Sequence, residues 1–354
     1  MNRITALLLF WACGTLGSPF STSWGRLGTY SWGRSYWTDD NPEFMDFFTH
    51  PVSGEWLKGD LMINVSDYSS ADNIPQGKKL IKFLKQYRQR SGNYENVLYL
   101  TYGDVTQKDE AAMMTFVSTF FNWVRTIKPK DAKTIGRIGI SFDVEMISAG
   151  HVELVLLECQ HQRETLIGQF APGQILIQHT IDDEECIKVT NAVMKYADSA
   201  LAMTYGNYLA SSKSPDDPEF RPEWSFEGRV RWLLTTQCPK CLNGSHALKH
   251  YKAKITLMVE AGCQMGVSGK RKTFCVNDAD GANFMASVIL PGLDSIRNDV
   301  DFITPEQYNH LFNHETTFAV HNFEWFRCFP PFDSVIHFPS CERFHELAAQ
   351  RREL

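Results

Sequence analysis

Eight short runs rich in β-branched and aromatic residues recur along the chain with helical patterns between them, and this alternation constrains the fold more than any other feature. The runs are Gly28 to Trp32, Leu61 to Val65, Val97 to Tyr102, Arg137 to Glu145, Val152 to Leu157 or the later Gln174 to Gln178, Ala200 to Tyr205, Lys254 to Glu260, and Thr317 to Trp325. Gly77 to Arg90 places Leu80, Ile81, Leu84 and Tyr87 at helical spacing, and Glu110 to Ile127 does the same with Met113, Phe116, Val117, Phe120, Phe121 and Val124. Asp183 to Ala197 and Phe226 to Thr236 are further helices, and Thr304-Pro305-Glu306-Gln307 has the capping residue, the proline and the glutamine of a helix start. Strands separated by crossover helices form a parallel sheet with helices outside, and eight of them close into an α/β fold of the (β/α)8 TIM barrel type. An open doubly wound sheet is the rival, but no Gly-x-Gly-x-x-Gly follows the first strand. The connections Asn207 to Ala253 and Ala261 to Thr316 are long loops after strands 6 and 7.

With 354 residues, 43% hydrophobic and 21% charged, the chain buries a large core, which excludes disorder. Arg3, the apolar run Ile4 to Trp11 and the small residues Ala12, Gly14, Gly17 and Ser18 have the layout of a signal peptide. The expected organisation is therefore a signal segment at 1–17 and one barrel at 18–354. The apolar run is too short to span a bilayer, which needs roughly 18–20 residues, and no later stretch reaches that length. The expected location is secreted or extracellular, with the endoplasmic reticulum lumen as the alternative. The closing Arg351-Arg352-Glu353-Leu354 resembles a degenerate retrieval signal, though the same residues end an amphipathic helix beginning near Ser340.

Cys13 lies in the signal segment, and the other eight cysteines form an even set suited to an oxidising compartment. Cys238-x-x-Cys241 reads as a surface-loop disulfide, since no second ligand pair at finger spacing makes it a zinc site. Asn64-Val65-Ser66 and Asn243-Gly244-Ser245 are glycosylation triplets, usable if they lie at the surface. Thirty-five basic against forty-one acidic residues leave a net charge of −6, without a lysine- or arginine-rich stripe, so neither nucleic acid nor an anionic membrane is an expected partner.

The stretch that carries chemistry is Gly139-Ile140-Ser141-Phe142-Asp143-Val144-Glu145. Strand alternation sends Gly139, Ser141, Asp143 and Glu145 to one face and Ile138, Ile140, Phe142 and Val144 to the other. In a barrel the apolar set packs on the helices, and the two carboxylates reach the C-terminal rim, where barrel active sites are built. The charge on Asp143 would raise the proton affinity of Glu145 and make it a candidate general acid. The same acids would equally serve to cap the following helix or meet a surface lysine.

This run resembles the fourth-strand signature of glycoside hydrolase family 18, the chitinases and their relatives, whose pattern is Asp-x-x-Asp-x-Asp-x-Glu. Asp143 and Glu145 match the last two acids, while Ile138 and Ser141 stand in place of the first two. Val97 to Asp104 is similar to the family's third strand, and Tyr196 to Tyr205 to its sixth, which ends in Met-x-Tyr-Asp; Gly206 replaces that aspartate. Trp325 falls where the family carries a tryptophan beneath the sugar. The resemblance implies hydrolysis of a β-linked N-acetylglucosamine glycan, such as a chitin-like oligosaccharide or an N-glycan core, by substrate-assisted retention. In that scheme Glu145 protonates the leaving oxygen, Asp143 orients the acetamide and Tyr205 hydrogen-bonds its oxygen. Ser141, Met203, Asn207, Trp325, Tyr30, Trp32 and Asp104 are candidates for contact with the sugar.

The replaced acids make a catalytically inactive, chitinase-like carbohydrate-binding barrel one alternative. Another is a retaining glycosidase with two glutamates, since Glu260 ends the seventh strand, where that clan places its nucleophile opposite an acid/base such as Glu145. Of seven histidines checked for metal or phosphodiester chemistry, only His321 falls on an expected strand, and no Gly-x-Ser-x-Gly elbow occurs. No metal and no cofactor are expected; the oligomeric state is open.

Overall fold

The structure is a computed structural model and describes residues 26–31, 42–50, 58–65, 77–103, 110–144, 147–181, 187–204, 225–260 and 289–321. Eight strands run in chain order: β1 (Leu27–Ser31), β2 (Leu61–Asn64), β3 (Leu98–Gly103), β4 (Ile138–Asp143), β5 (Ile175–Ile181), β6 (Ser199–Met203), β7 (Lys254–Glu260) and β8 (Phe318–His321). Each pairs in parallel with the next, and β1 returns to β8 through Leu27 opposite Phe318 and Tyr30 opposite His321, which closes the barrel. The helices among the described residues are α1 (Pro42–Thr49), α2 (Gly77–Ser91), α3 (Glu110–Arg125), α4 (Pro129–Ile135), α5 (Ala149–Glu164), α6 (Ile187–Tyr196), α7 (Phe226–Trp232), α8 (Gly244–His250), α9 (Leu290–Asn298) and α10 (Pro305–Leu311). The expected (β/α)8 barrel is the observed fold. The long connections after β6 and β7 hold α7 to α8 and α9 to α10 respectively.

One strand alternative is overturned. Val152 to Leu157 lies inside α5, whose first turn is capped by the Ser148 side chain accepting from the His151 amide. Val152, Val155, Leu156 and Cys159 share a buried stripe at helical spacing, so a run apolar enough to read as a strand follows the 3.6-residue period. The fifth strand is the later candidate, and it extends to Ile181, placing His179 on a strand as well as His321. The helix expected to end at Thr236 stops at Trp232 and continues as a π-helical turn, Leu233–Gln237. At α10 the expected capping box is complete: Thr304 accepts from the Gln307 amide and Gln307 accepts from the Thr304 amide.

The pleat sorts two cores. Ile138, Ile140, Phe142 and Val144 face outward under the helices, where Phe142 meets Phe116 of α3 edge-on at a centroid distance of 6.0 Å. Each such side chain contributes roughly 1.5–3 kcal/mol through burial. The inward residues Tyr30, Met62, Tyr99, Leu201, Met203, Met258 and Ala319 form a separate cluster inside the barrel. Gly139 makes room there, because a Cβ at that position would lie 2.3 Å from the Tyr99 ring.

The N-terminal end of the barrel is stitched by buried polar groups. Arg88, in the last turn of α2, is fully buried. It donates to the carbonyls of Ile135 (2.8 Å), Asn93 (2.7 Å), Asn96 (2.9 Å) and Arg137 (2.7 Å), and to the Asn96 side chain. Burial lowers its pKa to about 10. Asp60 accepts from the Val97 amide through its carboxylate (2.8 Å) and from the Thr29 amide through its carbonyl (3.0 Å), while its own amide donates to the Thr316 hydroxyl (2.9 Å). These bonds join the starts of β1, β2, β3 and β8.

Two expectations about the surface are corrected. Cys238 and Cys241 are bridged, but both are buried in the core under α7 and α8, not displayed on a surface loop. Asn64 ends β2 fully buried, so the first glycosylation triplet does not present its asparagine to solvent, whereas Asn243 is exposed. Nothing in the linear motif reports that β2 turns this asparagine toward the protein.

Candidate functional site

The C-terminal rim of the barrel is the site that strand geometry builds. Asp143 closes β4 in register with Gly103 of β3, on the inward parity of Gly139 and Ser141, and is only 6% exposed. Across the barrel, Glu260 ends β7 in register with His321 of β8. The His321 ring stands 5.6 Å from the Tyr30 ring. Met203 ends β6, and the chain leaving it is clamped to β7 because both the amide and the hydroxyl of Thr204 donate to the Met258 carbonyl (3.2 and 2.8 Å). The rim between β3 and β4 is tied from outside, where His151 Nε2 lies 2.8 Å from a Glu110 carboxylate oxygen at the starts of α5 and α3.

Beneath Asp143 runs a polar chain that sequence reading did not find. Ser141 donates to Gln178 Oε1 (2.9 Å), Gln178 Nε2 donates to the Ser199 hydroxyl (3.1 Å), and Ser199 is hydrogen-bonded to Tyr99. All four side chains are buried, and burial pushes the Tyr99 phenol well above its ordinary pKa. These four buried side chains therefore pair with one another, as groups without access to water require, whereas the Thr101 hydroxyl on the same inward face of β3 has no hydrogen-bond partner among the described residues. The signal was present only as parity, since Ser141, Gln178 and Ser199 become neighbours through strand register.

On the outer face of β5, His179 is buried against Phe142, with ring centroids 5.9 Å apart. Its Nδ1 donates to the Thr180 carbonyl at 2.6 Å, and its Nε2 has no hydrogen-bond partner among the described residues. Desolvation lowers its pKa to about 4, so the ring is neutral.

The structure brings together Asp143, Ser141, Met203 and Tyr30 as inward residues of one barrel, with Ser141 one pleat below Asp143 and hydrogen-bonded to Gln178. Tyr30 is fully buried, packed with Met62 and His321. Glu145, Tyr205, Asn207, Trp325, Trp32 and Asp104 lie outside the described residues. Among the described residues, no three His, Cys, Asp or Glu side chains converge as ligands for a metal, and no helix is long and apolar enough to cross a membrane.

A cavity of about 310 Å³ opens at the opposite, N-terminal end, lined among others by Asp60, Tyr99, Arg137, Asp198, Lys254 and Glu315. Its charges are largely engaged: Arg137 with Glu315 at 2.7 Å, Asp198 with Arg163 at 2.5 Å, and Lys254 with the His310 carbonyl. Residues at this end of a barrel serve stability, whereas chemistry belongs at the other end.

These features define a closed (β/α)8 barrel with a carboxylate at the C-terminal end of strand four. No family model matches the chain, and no curated protein matches it. Solved structures similar to it include chitinases and a xylanase and alpha-amylase inhibitor protein. A chitinase from Ipomoea carnea is 12% identical, with 84% of this chain and 93% of that one covered and a TM-score of 0.43. A GH18 chitinase from Pseudoalteromonas aurantia is 10% identical over 86% and 98% of the two chains, with a TM-score of 0.41. The xylanase and alpha-amylase inhibitor protein XAIP-II from Scadoxus multiflorus is 9% identical over 86% and 95%, with a TM-score of 0.44. Identities this low bear on nothing beyond fold, and the barrel is established by its own strand pairing.

Proposed function

We propose that the chain is a secreted family 18-like barrel that hydrolyses a β-linked N-acetylglucosamine glycan by substrate-assisted retention. The supporting observation is Asp143, an inward carboxylate at the C-terminal end of β4, with Glu145 two residues on in the family's order. In this reading Glu145 gives its proton to the glycosidic oxygen as the bond to the anomeric carbon breaks. The substrate's acetamide carbonyl oxygen attacks that carbon, and Asp143 accepts the acetamide N–H and offsets the positive charge of the oxazolinium ion. Water then opens the ring, giving its proton back to Glu145. Tyr205 holds the acetamide oxygen, and Trp325, Trp32, Met203, Asn207 and Asp104 shape the sugar site, with Tyr30 packed beneath it in the barrel interior.

Purified protein should release shorter products from chitooligosaccharides or from an N-linked glycan, and Glu145→Gln should abolish release while leaving binding intact. Binding by both proteins with turnover by neither would instead establish a carbohydrate-binding barrel. That second reading is favoured by one observation: Ser141, where the family has an acid able to share a proton with Asp143, is a neutral hydroxyl donating to Gln178. A two-glutamate mechanism with Glu260 as nucleophile predicts turnover of substrates that lack the acetamide group.

A further inference from the structure

The chain carries a net charge of −6, yet two helices packed side by side concentrate positive charge. On α2, Lys78, Lys82 and Lys85 recur at i, i+4 and i+7, so they form one stripe beside Lys79, and α2 contains no Asp or Glu. On and beside α4, Lys128, Lys130 and Lys133 are all exposed. The helices are tied by Lys85 donating to Asp131 at 2.6 Å, and Asp131 is the one acid in α4. Its carboxyl is held below the ordinary range, first by that hydrogen bond and further by the charges of Lys85, Lys130 and Lys128. The stripe that the linear sequence did not reveal is thus assembled from two segments more than forty residues apart.

We propose that the α2–α4 face is a docking surface for an anionic, sulfated polysaccharide. Charge complementarity calls for a polyanion, because six lysines remain after Lys85 neutralises Asp131. The exposed large apolar side chains, Tyr94, Leu154, Leu157, Ile167, Ile187 and Val300, all lie off these two helices, so the face has no anchor to insert into a bilayer. Nor do these helices expose an aromatic side chain, Phe83 and Tyr87 being buried, and the exposed Arg90 of α2 is engaged by Asp46 at 2.6 Å, so the fork and platform used to read nucleic acid bases are lacking. The buried Cys238–Cys241 bridge belongs with oxidising compartments, where sulfated polysaccharides are the abundant polyanions. The surface lies on the outside of the barrel and is independent of the rim site.

The test uses the full chain and heparin, with affinity measured at low salt and at about 0.15 M salt. Wild-type protein should bind with a Kd that rises steeply with salt, and chemically desulfated heparin should not bind. The triple variant Lys79→Glu, Lys82→Glu, Lys133→Glu, which spares the Lys85–Asp131 pair, should bind heparin at least about tenfold more weakly while melting as the wild type does. A control triple at exposed lysines elsewhere, Lys188→Glu, Lys240→Glu, Lys249→Glu, should stay within about twofold. No binding at low salt, equal weakening in the control, or tighter capture of duplex DNA or phosphatidylserine vesicles through the same lysines would overturn the proposal. So would salt-sensitive dimerisation lost in the first triple without any heparin binding.

Discussion

At the N-terminal end of the barrel, Arg88 directs all of its donor groups at backbone carbonyls and Asn96, and Asp60 joins four strands. At the C-terminal end, Asp143 closes β4 beside a glycine, and β7 and β8 end across the barrel at Glu260 and His321, which are in register. The first end uses buried charge to fix geometry, with every donor of Arg88 assigned to a neighbour. The second places a carboxylate where a strand stops, so strand register sets its position at the rim. Polar burial at one end therefore contributes to stability, while the same residue types at the other end stand where barrel active sites are built.

Exchanging the two roles gives the largest expected effect. Asp143→Asn should lower kcat/KM on a cleaved glycan by roughly 10²- to 10⁴-fold with little change in melting temperature, measured by steady-state kinetics beside thermal denaturation. Arg88→Met should do the reverse. It leaves several buried carbonyls without a donor, and urea denaturation should show a loss of about 3–5 kcal/mol with kcat of the folded fraction unchanged. A large stability loss at Asp143 with none at Arg88 would invert the comparison.

The pH dependence of stability sharpens it further. Burial raises the Asp60 pKa from 3.8 to about 6, so the native state keeps a proton that the unfolded chain has lost, and stability falls as pH rises from about 4 to 6. His179 works in the opposite sense. Its native pKa of about 4 against 6.5 unfolded means that stability falls as pH drops from 6.5 to 4. Each linkage is on the order of 3 kcal/mol at full extent, and the two partly cancel between pH 4 and 6. Asp60→Asn should therefore expose the acid-side loss due to His179, and His179→Phe the loss on raising pH due to Asp60, both read from urea midpoints across pH 4 to 8. Flat profiles in both variants would contradict this.

The smallest effect is expected inside the barrel. Gln178→Leu strands the Ser141 and Ser199 hydroxyls and should cost about 1–3 kcal/mol, with a weaker effect on kcat than Asp143→Asn.

The barrel was legible because its outward strand faces are runs such as Ile138, Ile140 and Phe142, whose burial on helices demands a period of two. The failure at Val152 to Leu157 has the same origin: α5 is apolar on enough sides that its short runs do not reveal their period. Asp143 was legible because one strand supplies both its parity and its terminal position. Gln178 and Ser199 were not, since their partnership depends on register between strands. Arg88 reads as an ordinary solvated cation in the last turn of an amphipathic helix, and only the loops before β3 and β4 make it a buried hub. The lysine face was hidden because counting charge along the chain separates α2 from α4.

The most direct test of the proposed function is the anomeric configuration of the first product from a short chitooligosaccharide, followed by proton NMR before mutarotation. The account predicts fresh β-anomer from the wild type and no product from Glu145→Gln. An initial α-anomer, or release undiminished in the variant, would contradict it.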